Sequence, residues 1–226
     1  MEKSRRDFLK TSGVVVAGAA VASTIPSKVL GANDKVRMAM IGVNGRGNGM
    51  SQEFAKNPNV EVTYICDVDT RATEKTIAAV NKVTGKKPKG VVDFRKALES
   101  KDVDAVYIAA PDHWHAPASI MSLKACKHVY VENPLGHNPR EGELLVAAQQ
   151  KYGKVVQMGN QQRSSVHTMQ ALKKVRDGII GRVYMGKAFY ANGRGPIGRG
   201  KPAPVPEWLD WDLWQGPAPR VEYRDN

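Results

Sequence analysis

The sequence predicts an α/β fold in which a doubly wound parallel sheet is followed by the start of a second α/β domain. Short apolar runs with high β propensity alternate with helical segments, and a glycine-rich turn follows the first run. Apolar strands separated by helices indicate a parallel sheet covered on both faces, and right-handed crossovers make such a sheet doubly wound. Its ligand crevice is expected at the carboxyl ends of the strands.

Five runs have the composition of buried strands. They are Val36–Gly42, Val60–Cys66, Val103–Ala109, His128–Val131 and Val155–Met158. The intervening helices have recognisable ends. Thr70 is expected to cap a helix that runs to Thr84 and stops at Gly85. A second helix begins where Asn138 precedes Pro139 and ends at Gly153.

The composition is that of an ordinary soluble globular protein. The chain has 226 residues, of which 42% are apolar and 25% charged, and this length suits one to two domains of roughly 150 residues. Part of the net charge of +12 lies in residues 1–32, and the remaining excess is spread along the sequence. It therefore favours anionic ligands or a solvated surface, and we expect no nucleic-acid partner. Two cysteines, Cys66 and Cys126, are too few for a disulfide framework.

Residues 1–32 are predicted to be a signal peptide. Residues 4–10 read Ser-Arg-Arg-Asp-Phe-Leu-Lys and precede the apolar stretch Val14–Ala22, which is shorter than the roughly 20 residues that a membrane-spanning helix needs. Small residues at 20–22 and 30–32 offer cleavage sites. The segment resembles a bacterial twin-arginine export signal. It implies the twin-arginine export machinery as a partner and a periplasmic or otherwise exported location, with an ordinary basic tail as the alternative.

The glycine-rich turn after the first strand predicts a phosphate-binding loop. It reads Gly42-Val43-Asn44-Gly45-Arg46-Gly47, and dinucleotide-binding folds use glycines here to bring the backbone close to a pyrophosphate. Asn44 replaces the middle glycine, but asparagine tolerates left-handed dihedral angles better than most residues. We therefore predict that Gly42, Asn44, Gly45, Arg46 and Gly47 bind a dinucleotide, with an ordinary glycine turn as the alternative.

An acid at the end of the second strand supports this prediction. Asp67 follows Gly42 at close to the spacing expected of a ribose-binding acid. Its carboxylate can accept hydrogen bonds from both ribose hydroxyls and repels a 2′-phosphate, which favours NAD over NADP. Arg71 leaves NADP open, since a guanidinium can receive that phosphate. Asp67 could also simply end the strand. The turn and the acid predict a dinucleotide-binding domain over residues 33–155.

Residues 156–226 are predicted to open a second, incomplete domain. Ser164 is expected to cap a helix that runs through Arg176, and residues 182–191 are expected to form a strand. A region rich in glycine and proline follows, and then come Trp208, Trp211 and Trp214. These large apolar side chains need cover that we expect from sequence beyond residue 226, with a complete small lobe as the alternative.

Two further segments make the chain similar to a known family. Residues 109–116 read Ala-Ala-Pro-Asp-His-Trp-His-Ala, and residues 131–135 read Val-Glu-Asn-Pro-Leu. Together with the Gly42–Gly47 turn and Asp67, they resemble the Gfo/Idh/MocA oxidoreductases. Gly159–Arg163 and Leu209–Trp214 extend the resemblance towards the end of the chain.

The resemblance implies a Rossmann domain followed by an open-sheet domain that receives the substrate and commonly packs into a homo-oligomer. It implies NAD-dependent hydride transfer to or from a secondary alcohol or carbonyl of a sugar or related polyol. Pro111, Trp114 and His115 should border the nicotinamide, and His115 is a candidate catalytic residue. Gln161 and Arg163 should lie near the cofactor and substrate. No metal site is predicted, because no acid or third histidine is placed beside His113 and His115.

One departure from the family concerns catalysis. The family's Glu-Lys-Pro signature is here Glu132-Asn133-Pro134, with Glu132 and Asn133 at cofactor-binding positions. The lysine assists proton transfer, whereas the carboxamide of Asn133 can only donate and accept hydrogen bonds. The family's catalytic histidine is expected beyond residue 226. Two alternatives therefore remain open, namely a redox-neutral NAD-dependent glycosidase and a catalytically weak NAD-binding protein.

Overall fold

The computed structural model describes residues 35–191, 193 and 195–225. The predicted signal peptide lies outside these described residues. Six strands form one sheet: β1 Val36–Ile41, β2 Val60–Cys66, β3 Lys89–Val91, β4 Ala105–Ile108, β5 His128–Val131 and β6 Val156–Met158. Seven helices accompany them: α1 Arg46–Lys56, α2 Thr70–Thr84, α3 Arg95–Leu98, α4 Asp112–Lys124, α5 Pro139–Tyr152, α6 Val166–Arg176 and α7 Trp211–Gln215.

The sheet has the order β3-β2-β1-β4-β5-β6, and all its neighbouring strands are parallel. The predicted doubly wound α/β fold is thus confirmed. The chain changes direction across the sheet between β1 and β4, so the crevice outside their carboxyl ends is the topological switch point. Strand β3 was not predicted, since its three residues Lys-Gly-Val form no apolar run.

Both faces of the sheet are buried. Met38 and Met40 point from β1 into one core, which residues of α1 and α2 help to fill. Ala39 and Ile41 point into the opposite core, which residues of α4 and α5 cover. This alternation is the period-two pattern of a strand. No helix among the described residues has the length and apolar character that a membrane crossing requires.

Two predicted helix caps are wrong by one residue. Helix α2 spans the predicted residues, but its N-cap is Asp69, whose side chain accepts from the amide N–H of Arg71 at 2.9 Å. Thr70 already has a helical backbone and cannot be the cap. The N-cap of α6 is Ser165 instead of Ser164, and its side chain makes no capping hydrogen bond.

The strand predicted over residues 182–191 is absent from the structure. The segment contains no regular element, and its aromatic residues are exposed, with Tyr184 at 88% and Phe189 at 83%. A strand needs a neighbouring strand to pair its backbone groups. No described strand pairs with this segment.

Asp104→Asn is expected to lower the free energy of unfolding near neutral pH. Asp104 accepts hydrogen bonds from the amide N–H, Nε and Nη2 of Arg37 at 2.9, 3.0 and 2.8 Å. These bonds lower the pKa of Asp104 below its ordinary value of 3.8. A depressed carboxyl pKa contributes stability above the unfolded pKa, and this contribution is lost as the pH falls through the folded pKa.

Urea unfolding at about pH 7 and about pH 3 checks this linkage. The substitution should lower the free energy of unfolding at the higher pH and have less effect at the lower. Asp102→Asn is the control, because Asp102 is 63% exposed and receives a single contact from Arg37 at 3.1 Å. Equal effects of Asp104→Asn at both pH values would contradict the prediction.

Candidate cofactor-binding site

The glycine turn between β1 and α1 is closely packed at both ends. Gly42 has φ +77°, and a Cβ there would lie 2.5 Å from the Ala110 backbone nitrogen. A Cβ on Gly47 would lie 1.8 Å from the Gly42 carbonyl oxygen. Gly45 differs, because a Cβ there would meet nothing within 4 Å. Two of the glycines therefore shape the turn, while the third leaves open space before the first turn of α1.

The predicted ribose acid is bonded to the same turn. Asp67 Oδ2 accepts from the Val43 amide N–H at 2.6 Å, and Oδ1 accepts from the Asp69 amide N–H at 2.9 Å. Burial raises the pKa of Asp67, although these two amides act in the opposite direction. A carboxylate offers about four lone-pair positions. Asp67 can therefore hold the turn against β2 and still accept from a ligand hydroxyl.

A cavity of about 800 Å³ lies at this edge of the sheet. Its volume is within the range of small-molecule sites. Seven of the predicted site residues line it, namely Gly42, Asn44, Gly45, Asp67, Arg71, Pro111 and Trp114. Residues between 208 and 224 form another wall of the cavity. The predicted residues that follow β1, β2 and β4 therefore line the same cavity.

Four of the other predicted residues, namely Arg46, Glu132, Asn133 and Gln161, form a hydrogen-bonded network beside the cavity. Glu132 is buried, and its Oε1 accepts from Tyr107 Oη at 2.7 Å and from Arg46 Nε at 3.2 Å. Its Oε2 accepts from Gln161 Nε2 at 2.7 Å. Burial alone would raise the pKa of Glu132, but Tyr107, Gln161 and Arg46 outweigh it and hold the pKa below its ordinary value. An ionised carboxylate thus stands beside the glycine turn.

Asn133 belongs to the same network. Its Nδ2 donates to the Gly159 carbonyl oxygen at 3.1 Å and to Oε1 of Gln161. Both N–H groups of the carboxamide are therefore used, and no group among the described residues donates to its Oδ1. Toward a ligand, Asn133 can offer an acceptor. Gln161 is the link between Asn133 and Glu132.

His115 connects two loops at the carboxyl edge of the sheet. It is 2% exposed, and its Nδ1 and Nε2 lie 2.5 Å from the Pro134 and 2.7 Å from the Ala110 carbonyl oxygens. The ring therefore joins the loop after β5 to the loop after β4 and does not line the cavity. Its catalytic role stays a prediction.

Arg163 takes no part in the network of Glu132, Asn133 and Gln161. It is exposed and makes no hydrogen bond or ion pair with any described residue. Across the described part of the chain, no group of three or more histidine, cysteine or acidic side chains could hold a metal ion.

Sequence reasoning missed the wall formed by residues 208–224, which we call the aromatic strap. We expected its tryptophans to lack cover within this chain, and the structure corrects this for Trp208 and Trp211, whereas Trp214 is exposed. Trp208 and Trp211 are half-buried, Trp211 and Trp214 stack at 4.7 Å, and Tyr223 packs edge-on against Trp211 at 5.4 Å. The close spacing of the tryptophans was the available signal for such a cluster. Tyr107 was also missed, because it lies inside an otherwise apolar strand.

Comparison with known proteins identifies two parts of the chain. Residues 36–160 match the Gfo/Idh/MocA family, described as an oxidoreductase family with an NAD-binding Rossmann fold. Residues 4–22 match the twin-arginine translocation pathway signal sequence. The first match covers more than half of the chain and spans β1 to β6.

Curated relatives extend the similarity beyond the Rossmann domain. A glycosyl hydrolase family 109 protein from Saccharopolyspora erythraea is 32% identical over 209 residues, which are 83% of this chain and 45% of the relative. One from Shewanella pealeana is 30% identical over 211 residues, or 84% and 46% of the two chains. The chain therefore spans less than half the length of these relatives.

Solved structures share the fold. A myo-inositol 2-dehydrogenase from Lactobacillus plantarum superposes with a TM-score of 0.58 at 24% identity, covering 66% of this chain and 43% of that one. A 3-ketoreductase from Actinomadura kijaniata, in complex with TDP-benzene and NADP, gives 0.59 at 25% identity, with 66% and 44% covered. A scyllo-inositol dehydrogenase from Lactobacillus casei with NAD(H) and scyllo-inositol gives 0.58 at 21%, with 65% and 42% covered. The chain belongs to the Gfo/Idh/MocA oxidoreductase family and has its NAD-binding Rossmann fold.

Proposed function

We propose that the protein is an exported NAD-dependent oxidoreductase that moves hydride between the cofactor and a secondary alcohol or carbonyl of a sugar or related polyol. The observation that carries this proposal is the cavity at the switch point, bounded by the glycine turn and Asp67. Binding of a small carbohydrate and assembly into a homo-oligomer belong to the same proposal.

The residues at the turn fit a dinucleotide. The first turn of a helix has backbone N–H groups without intrahelical acceptors, and its dipole favours an anion. The N-cap of α1 is Gly45, which has no side chain to accept from these N–H groups, and a Cβ would enter open space there. The pyrophosphate would therefore bind at Asn44, Gly45 and the start of α1, with the adenosine ribose at Asp67.

The nicotinamide half would extend toward Pro111 and Trp114 on the loop after β4. When bound, nicotinamide supplies the hydride acceptor or donor, and the protein supplies position and electrostatics. Glu132 keeps Arg46 and Gln161 in fixed places beside this region. His115 orients the loops that carry Pro111 and Asn133 through its contacts with two carbonyl oxygens.

NAD is preferred to NADP in this proposal. The Asp67 carboxylate is suited to ribose hydroxyls and opposes a 2′-phosphate.

The predicted export route is consistent with a cofactor that is already bound when the protein leaves the cytoplasm. A twin-arginine signal directs the chain to a pathway that transports folded proteins, so the dinucleotide would be acquired before transport to the periplasm.

A redox-neutral glycosidase is the second candidate, and a specific observation favours it. Curated relatives that match more than four-fifths of the chain are named as glycosyl hydrolase family 109 proteins. In such an enzyme the hydride taken from the sugar is returned before the product leaves. An exported protein without access to free NAD would benefit from that recycling.

The purified protein is expected to carry NAD or to bind it with measurable heat. Released nucleotide identified by mass spectrometry, followed by titration calorimetry with NAD and NADP, checks this. Net NADH formation with a panel of sugars and polyols would support the oxidoreductase. Release of the aryl group from aryl glycosides without net NADH would support the glycosidase. A protein that neither carries nor binds either dinucleotide would overturn both candidates.

A further inference from the structure

We propose that the aromatic strap sets the choice between NAD and NADP, because Trp208 holds Arg71 against Asp69 and so withholds its guanidinium from a 2′-phosphate. This inference rests on the proposed function, since it assigns a role toward the dinucleotide expected in the cavity. It adds two specificity-determining residues, Trp208 and Asp69, to the acid that the sequence predicts.

The strap is bonded to the protein where β2 ends and α2 begins. Leu209 forms an antiparallel bridge with Asp69. The Thr70 amide N–H donates to the Trp208 carbonyl oxygen at 3.0 Å, and the Asp210 amide N–H donates to the Val68 carbonyl oxygen at 3.0 Å. These backbone contacts fix Trp208 beside the first turn of α2.

A second attachment lies on the other side of the switch point. Trp114 Nε1 donates to the Leu213 carbonyl oxygen at 2.9 Å, and His113 Nε2 lies 2.9 Å from the Trp214 carbonyl oxygen. A Cβ on Gly216 would lie 2.2 Å from the Trp114 ring. The strap therefore crosses from α2 to α4 and forms one wall of the cavity, which Asp67 and Arg71 also line.

Arg71 is held from two sides at this wall. Its Nη2 lies 2.8 Å from Asp69 Oδ2, and its Nε donates to Asp69 Oδ1 at 3.1 Å. Its guanidinium carbon lies 3.2 Å from the centroid of the Trp208 ring. The carboxylate takes one edge of the planar guanidinium, and the indole covers one face.

This arrangement changes what Arg71 can do for a cofactor. An arginine close to the ribose-binding acid is the group that accommodates a 2′-phosphate in NADP-binding proteins. Here the edge formed by Nε and Nη2 is already bound to Asp69 and one face is covered by Trp208, which leaves only the Nη1 side of the guanidinium for a ligand. Asp69 is 8% exposed, so turning Arg71 away would leave a buried carboxylate without its ion pair, which is costly. Asp67 then faces the ribose without a competing cation.

Two single variants separate the contributions. Asp69→Asn keeps the size of the side chain and a residue type that caps helices well, but it removes the negative charge that binds Arg71. Trp208→Ala removes the ring that covers the guanidinium. Each variant should raise the affinity for NADP relative to NAD by about tenfold. This change corresponds to the binding free energy of one ion-pair contact of modest strength.

Titration calorimetry of each purified variant with NAD and with NADP gives the ratio of the two dissociation constants. Adding Arg71→Ala to either variant should abolish the gain, since no guanidinium remains to receive the phosphate. Trp214→Ala is the control, because Trp214 lies on the same strap and contacts His113 and Trp211 instead of Arg71. Its ratio should equal that of the parent.

The inference is overturned if NAD still binds and the ratio stays unchanged in Asp69→Asn, or if the gain survives Arg71→Ala. If Trp208→Ala shows no thermal unfolding transition, it has lost its fold. The comparison of Asp69→Asn with the double variant Asp69→Asn, Arg71→Ala then tests the inference alone. A parent protein that binds neither dinucleotide would instead refute the proposed function. The two failures are therefore distinguishable.

Discussion

Gly47→Ala is expected to abolish detectable binding of the nicotinamide dinucleotide. The added Cβ would lie 1.8 Å from the Gly42 carbonyl oxygen, which is a backbone atom and cannot rotate aside. The turn and the start of α1 must therefore separate. Positioned groups that move by about 1 Å can lose effectiveness about a hundredfold, and the pyrophosphate depends on both of these elements at once.

Gly49→Ala is the matched control for this substitution. Gly49 lies in the same helix, but its Cβ would meet nothing within 4 Å. Alanine also favours a helix interior over glycine by about 1 kcal/mol. This variant should bind the dinucleotide like the parent and melt at the same or a higher temperature. Titration calorimetry and thermal melting of both variants test the pair. Normal affinity in Gly47→Ala would show that the turn is not the phosphate site.

The strands and the glycine turn could be predicted because their determinants are local. An apolar run followed by Gly42 and Gly47 is typical of a strand that turns tightly into a helix. The close backbone contacts observed at Gly42 and Gly47 show why glycine is needed at both positions. Asp67 was found by its spacing from that turn. The sequence did not indicate that the Asp67 carboxylate also accepts from the Val43 amide N–H, because a backbone donor is the same at every residue type except proline.

Contacts between segments that are distant in the sequence could not be predicted, because many of them are made by backbone groups, which do not differ between residue types. The strap is held by backbone contacts between Trp208 and Thr70, which leave no signature in either side chain. Residues 182–191 were expected to form a strand, but a strand also requires a neighbouring strand to pair with, and the sequence of the segment does not say whether one is present. The bond between Asn133 and Gln161 likewise depends on β5 and β6 being neighbours.

Asn133→Lys is expected to raise turnover by about 10²–10⁴-fold, the usual contribution of a positioned proton-transfer group. The resemblance to the family predicts lysine at this position. In the structure both N–H groups of Asn133 are bound to Gly159 and Gln161, and a carboxamide cannot exchange a proton near neutral pH. The lowered pKa of Glu132 keeps its carboxylate ionised. This negative charge would attract the ammonium group of a lysine at the neighbouring position 133.

Asn133→Met is the matched control, because methionine is unbranched like lysine but carries no titratable group. Turnover should be measured across the pH range with the sugar or aryl glycoside that the panel identifies. The lysine variant should show an added ionisation in its rate profile, and the methionine variant should show none. A gain confined to lysine would mean that the natural asparagine holds the protein in a cofactor-binding, weakly catalytic form. Equal rates in all three proteins would place the acid–base group elsewhere, and Asn133 would then serve only to fix Gln161 against Glu132.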